Sequence, residues 1–363
     1  MTNGRRAGER RGSPDAPAPH RRSQAARHPV VLLANMVMFA VVVTLVAGVA
    51  LLVIGQQMFT ARGPLTEDVG VVIERGAPVQ SIAQGLREQG IITNEYVFLA
   101  AAYGTDVVGR MQAGEYRIPA AASMAEVLDR LVSGRVIQHA ITFAEGLTSA
   151  QIVARLMADD VLTGPVEEIP PEGSLLPETY NYSRGEARSA VLARMRAARD
   201  AAVERVWRER DPDLPIETPE DLVTLASIVE KETGQADERE RVAAVFVNRL
   251  EEGMRLQSDP TILYGLYGGE AWSEPRTIYR SDIDRQTPYN TYQIDGLPPG
   301  PIANPGLAAL EATARPAETD ELFFVADGSG GHAFAETYEA HQQNVARWRE
   351  VEAGRASATS GTR

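Results

Sequence analysis

Leu225-Ala226-Ser227-Ile228-Val229-Glu230-Lys231-Glu232-Thr233 brings an apolar helix to a charged end, and its surroundings bound that helix on both sides. Thr218 is a good N-cap, Pro219 suits the first helical position, and Glu220 and Asp221 favour the positive end of the dipole. Gly234 supplies the stop. At roughly 100° per residue, Leu222, Leu225, Ala226 and Val229 form one stripe, and Glu232 falls close to it. Glu230 projects to one side and Lys231 lies nearly opposite. A second helix follows, with capping-box spacing at Asp237 and Glu240, an apolar face of Val242, Val245, Phe246 and Leu250, and Gly253 at its end. The short link between them makes an αα-hairpin with Glu232 at its corner.

A carboxyl group at the edge of an apolar stripe is partly desolvated, which raises its pKa and lets it keep a proton near neutral pH. Cleavage of a glycosidic bond needs such an acid. The plain alternative is a surface carboxylate on a frayed last turn, and spacing alone does not separate the two. An acid at a helix C-terminus opposes the dipole, however, a local cost that a functional site would explain.

The 363 residues correspond to about two folded units with accessories. There is no cysteine, which removes disulfides, thiolate catalysis and Cys-based zinc sites. From Val30 to Ile54 the chain is apolar apart from mild polar groups such as Asn35 and Thr44, long enough to span a bilayer. Arg5, Arg6, Arg10, Arg11, Arg21, Arg22 and Arg27 precede it against only Glu9 and Asp15. The positive-inside rule places residues 1–28 in the cytoplasm as a disordered basic tail, a transmembrane helix at 29–55, and the rest outside. The span is too long for a typical signal-peptide core, and no small-residue cleavage site follows it. Net charge is −13 despite that basic tail, so the body is strongly acidic, which argues against nucleic acid or anionic lipid as its ligand.

Beyond the span, periodicity predicts a small α/β region and then a mostly helical one, an α+β fold. Val71-Val72-Ile73 reads as a strand, followed by a helix with Val79, Ile82, Ala83 and Leu86 on one face. Ser123 and Glu126 form a capping box for a helix with Met124, Val127, Leu128 and Leu131 inward. Ile141-Thr142-Phe143 is a further strand before a helix carrying Ile152 and Leu156. Ile73, Gly76, Ile82 and Leu86 repeat in spacing as Phe143, Gly146, Ile152 and Leu156, a faint strand–glycine–helix repeat. Leu176 to Tyr180 reads as a turn, and Asp259 to Gly306 as long ordered loops. Leu322 to Val325 and His332 to Phe334 make a β-hairpin, a last helix runs to about Val351, and residues 352–363 form a disordered tail.

Gln257-Ser258-Asp259 and Tyr289-Asn290-Thr291-Tyr292 carry the aromatic and hydrogen-bonding groups that hold sugars, although the same residue types also build turns. Asp327-Gly328-Ser329-Gly330-Gly331-His332 lacks the strand-to-helix context and Lys-Ser/Thr ending of a phosphate loop. His332 could be a base or a ligand. No histidine has metal-site spacing, so neither metal nor other cofactor is expected.

The run Leu225 to Thr233, Arg255 to Thr261, Pro288 to Tyr292, Gly296-Leu297-Pro298-Pro299-Gly300-Pro301-Ile302, and Phe324 to Gly328 with Gly331-His332 together resemble the endolytic murein transglycosylases, the YceG-like proteins. The resemblance covers roughly residues 30 to 350. It implies a peptidoglycan lyase anchored in the cell inner membrane, with a LysM-like subdomain at 66–140 and a periplasmic catalytic domain at 141–351. Glu232 matches the family's catalytic glutamate. It would cleave between N-acetylmuramic acid and N-acetylglucosamine in nascent glycan strands, leave 1,6-anhydro ends and so terminate elongation. Gln257, Asp259, Tyr289, Asn290 and Tyr292 are expected to contact substrate or support those that do. Glycan polymerases and penicillin-binding proteins are the expected company. A glycan hydrolase using a second carboxylate, Asp259 or Glu178, and a non-catalytic glycan-binding scaffold are the rival readings.

Overall fold

The structure is a computed structural model and describes residues 29–360. The basic tail expected at 1–28 lies outside the described residues. Helix α1 (Pro29–Thr60) is apolar and exposed along nearly its whole length, long and apolar enough to cross a membrane by length and composition. It runs on to Thr60, past the expected end at residue 55, because no proline follows Ile54 and the single Gly55 is absorbed within the helix.

The first core lies between β1 (Val69–Ile73), α2 (Val79–Glu88), α3 (Glu95–Gly104), β2 (Gly114–Ile118) and α4 (Met124–Ser133). β1 and β2 pair antiparallel, Val71 opposite Tyr116, so the unit is βααβ followed by a helix. Its helices bury the faces read from sequence: Val79, Ile82, Ala83 and Leu86 on α2, and Met124, Val127, Leu128 and Leu131 on α4. Ser123 and Glu126 close the capping box.

A second core joins β3 (Gln138–Thr142), α5 (Ser149–Ala158), β4 (Thr179–Ser183) and the front of α6 (Arg188–Arg208). Thr179–Ser183, expected within or after a turn, is a strand antiparallel to β3, an assignment that depends on a partner about forty residues away. The strand–glycine–helix repeat holds in three dimensions. Gly76 and Gly146 both take φ near +75° (79° and 71°), and Ile82, Leu86, Ile152 and Leu156 are all buried.

The third core is helical and centred on α7 (Pro219–Glu232), which packs against α6, α8 (Arg239–Glu251), α9 (Asp259–Tyr267) and α11 (Leu307–Ala314). Between α9 and α11 lies the short α10 (Arg280–Ile283). β5 (Phe323–Ala326) and β6 (His332–Ala335) form the expected hairpin, and α12 (Tyr338–Ser360) follows. α12 extends past Val351 to Ser360, where the sequence reading places a disordered tail. The body is thus mostly helical, with three two-stranded antiparallel sheets among the described residues.

Candidate active site

Thr218 and Asp221 cap α7 reciprocally, Pro219 opens it, and residues Leu222 to Val229 are all buried. The end differs in detail from expectation. The helix stops because Thr233 turns extended (φ −137°), and Gly234 is not left-handed. Nor do Asp237 and Glu240 form a box: Glu238 occupies the N-cap of α8, and no side chain caps there. Both changes leave the corner itself intact.

The three charged residues that end α7 reach in three directions. Glu230 accepts the Gly306 backbone N–H at 3.0 Å, at the start of α11. Lys231 donates to the Gly146 carbonyl at 3.3 Å and lies 4.2 Å from the centre of the Trp272 ring. Glu232 accepts a 2.5 Å hydrogen bond from the Ser258 hydroxyl. Burial pushes the Glu232 carboxyl up to about 7, with the Asp259 charge adding to it, while the Ser258 hydrogen bond and Arg249 pull the other way. Its place at the negative end of α7 also disfavours the carboxylate form. Burial raises the Glu230 carboxyl as well, opposed by Gly306, but that oxygen is committed to a helix start.

Ser258 is held from below. Its backbone N–H donates to Thr291 Oγ1 (2.9 Å), Thr261 Oγ1 donates to the Ser258 carbonyl (2.6 Å), and the two threonine hydroxyls lie 2.8 Å apart. Ser258, Thr261 and Thr291 are all buried. Ser258 occupies the N-cap of α9, yet its hydroxyl serves Glu232 and not the helix. The 257–259 and 289–292 segments, read as separate constellations, therefore meet beneath one carboxyl.

The expected contact residues fall into different roles. Asp259 is exposed and accepts the Tyr292 hydroxyl at 2.7 Å. Gln257 is exposed in a left-handed conformation (φ 48°), and its N–H donates to the Thr291 carbonyl. Tyr289 is half-buried and meets the Tyr264 ring edge-on, 4.8 Å between centroids. Asn290 is turned inward: its amide nitrogen donates to the Ile283 and Arg285 carbonyls at 3.0 and 2.7 Å, and its oxygen accepts from the Tyr292 N–H. It braces the loop and offers nothing to a ligand. Glu178, the other suggested second carboxylate, lies just before β4, where its charge acts on Tyr180.

A cleft of about 270 Å³ opens beside Glu232, lined by Thr233, Gly234, the hairpin glycines 328, 330 and 331, His332 and Trp348. α8 fixes this wall. Arg249 donates to the Leu322 and Leu256 carbonyls, Asn248 to those of Thr319 and Glu321, and Phe246 meets Phe324 edge-on. The Gln235 amide bonds the Gly330 carbonyl across the cleft mouth.

Sequence reasoning missed Arg249, Trp348 and Glu172. Glu172 is a second carboxyl raised by burial, despite hydrogen bonds from Ser149 and Asn304. Its oxygen ties the start of α5 to the 304 loop, beside Tyr264. Glu172 follows a Pro-Pro pair, and no local pattern marks it as desolvated.

A half-buried, proton-retaining carboxyl at the corner of a helical hairpin, with a cleft beside it, is the arrangement of an acid–base enzyme. The profile of the YceG-like family matches residues 71–347, and the chain belongs to that family. It is 29% identical over 308 residues to the endolytic murein transglycosylase of Bacillus subtilis (strain 168), covering 76% of this chain and 83% of that one. It is 28% identical over 324 residues to the endolytic murein transglycosylase of Streptococcus pneumoniae serotype 2, covering 77% of this chain but only 58% of the pneumococcal protein. A crystal structure of a yceG-like protein from Listeria monocytogenes aligns at TM-score 0.48 and 26% identity, over 76% of this chain and 98% of that one.

Proposed function

We propose that the chain cuts peptidoglycan glycan strands internally between N-acetylmuramic acid and N-acetylglucosamine, with Glu232 as the single acid and base. It is a lytic transglycosylase, a lyase. The observation that carries the site assignment is the half-buried Glu232 carboxyl, hydrogen-bonded to Ser258 and raised to about 7 beside an open cleft.

Protonated Glu232 gives its proton to the bridging oxygen as the bond from C1 to that oxygen breaks. The resulting carboxylate takes the proton of the muramyl 6-hydroxyl while O6 bonds to C1, closing a 1,6-anhydro ring. One bond forms for one broken, the proton returns to Glu232, and no water is consumed. No second carboxylate is required. Asp259, whose charge is felt at Glu232, is the second carboxylate of the rival hydrolase reading, and a hydrolase would leave reducing ends.

Residues 66–140 are assigned to a LysM-like glycan-binding unit and 141–351 to catalysis. α1 anchors the chain in the inner membrane with the basic tail cytoplasmic and the body periplasmic, near the glycan polymerases that supply nascent strands.

Mass spectrometry of products from purified glycan strands tests the chemistry. Wild type should yield anhydro-muramyl ends. Glu232→Gln, which keeps shape but cannot deliver a proton, should lose at least ~10²–10⁴-fold in rate with its fold intact. Glu230→Gln still offers an oxygen to Gly306 and should keep most activity. Near-normal product from folded Glu232→Gln would overturn the mechanism, and reducing ends from wild type would favour the hydrolase.

A further inference from the structure

The cleft beside Glu232 holds a second group with chemistry to offer. His332 opens β6 and lines the cleft from the hairpin side. Its Nδ1 lies 2.8 Å from Glu238 Oε2, and its backbone N–H donates to Glu238 Oε1 at the same distance. One carboxylate therefore fixes both the ring and its backbone. A ring nitrogen facing a carboxylate carries the proton, which leaves Nε2 as the free position. Phe324 meets the ring edge-on at 5.2 Å and limits its rotation.

The neighbouring glycine is shaped by the same pair. A Cβ on Gly331 would come within 2.5 Å of Glu238 Oε1, so a side chain there would push the carboxylate off the histidine. His332 keeps about a sixth of its side-chain surface (16%) exposed, and Nε2 has no partner among the described residues. The cleft, about 270 Å³, falls below the roughly 300–1,000 Å³ of pockets that enclose a whole drug-sized ligand. It suits one sugar ring of a strand.

We propose that His332, oriented by Glu238, contacts substrate through Nε2, accepting a hydrogen bond from a hydroxyl or acetamido N–H of the sugar bound beside Glu232. The proposal rests on the glycan-cleaving reading above and adds a specificity-determining residue to it. An acceptor pre-oriented in this way matches the donors that an N-acetylated sugar presents, and costs little ordering on binding.

The test uses the full-length protein in detergent. His332→Ala should lower kcat/KM about five- to ten-fold, the worth of one neutral hydrogen bond, chiefly through KM, with anhydro ends unchanged. His332→Gln, whose amide can still accept, should recover part of the loss. In a Glu232→Gln background, a soluble β-1,4-linked N-acetylglucosamine oligomer should bind correspondingly more weakly when His332→Ala is added. Glu238→Gln leaves the imidazole present but loosely oriented and should weaken the same binding. kcat/KM of folded His332→Ala within two-fold of wild type would overturn the proposal. So would oligomer affinity unchanged by Glu238→Gln, a readout that serves even if His332→Ala does not fold. Wild type lacking anhydro ends, or Glu232→Gln retaining them, would instead overturn the glycan-cleaving reading, which separates the two failures.

Discussion

At Glu232 the environment works against charge while its nearest neighbour works for it. Burial and Asp259 raise the carboxyl; Ser258 and Arg249 hold it down, and the balance falls at about 7. A general acid must be protonated in the free enzyme, so kcat/KM should decline as pH rises through about 7. Asp259→Asn removes a raising charge, while its amide oxygen can still accept from Tyr292, and should move that limb to lower pH. Ser258→Ala removes the hydrogen bond to the carboxylate and should move it to higher pH. Limbs that stay put in both variants would assign the titration to another group. The same shift bears on stability. A carboxyl raised in the fold contributes stability that is present below its ordinary range and lost as pH climbs through the folded value. Glu232→Gln should therefore be more stable than wild type at pH 8, by on the order of 2 kcal/mol, with the gap shrinking towards pH 5. Denaturant melts at the two pH values would measure it.

At the scale of elements, the site depends on one irregular stretch and one helix end. Asn290 holds the stretch together by filling two backbone carbonyls and one N–H, with its side chain buried. Asn290→Ala strips the Arg285 carbonyl and the Tyr292 N–H of this partner, while Gln293 still donates to the Ile283 carbonyl, and should cost about 1–3 kcal/mol, seen as a lower melting temperature. Activity should fall with it, since Thr291 and Tyr292 follow directly in the chain. α7 was readable because its caps and its stripe are local: Thr218, Pro219 and the Leu222–Val229 face act within a few residues. The Ser123–Glu126 box and the β5–β6 hairpin were readable for the same reason. β4 was not, because a strand of Tyr and Asn residues needs β3 to define it. α9 and α10 hid in the Asp259–Gly306 stretch, rich in Pro and Gly, where turn residues outweighed short helical runs. Glu232 itself was legible from the helix face, but the partner that tunes it was not. Ser258 looks like a helix cap, and only the approach of α7 shows that its hydroxyl serves a carboxyl instead.

At the scale of the whole molecule, the question is how the body stands relative to the membrane. A helix of 32 residues is about 48 Å long, so an α1 that spans a hydrocarbon core of about 30 Å also projects from it. The projecting end is joined closely to the first core. Phe59 packs against that core, Gly63 N–H donates to the Ala121 carbonyl at 3.1 Å, and the Ala121 N–H returns to Leu65 at 2.8 Å. A Cβ on Gly63 would lie 2.0 Å from the Ala122 oxygen, so the join admits no side chain. α1 and the βααβ unit therefore meet without a free linker, and a membrane-spanning α1 would keep the body close to the bilayer, on whichever side it lies. The arginine-rich tail predicts that this side is the periplasm. A chain without cysteine makes the prediction easy to read. Ser13→Cys lies in the tail, and Tyr96→Cys replaces a side chain on α3 that is three-quarters exposed. An impermeant maleimide applied to intact spheroplasts should label Tyr96→Cys at once, and Ser13→Cys only after the membrane is opened. The reverse pattern would invert the topology and put the catalytic body out of reach of its polymer.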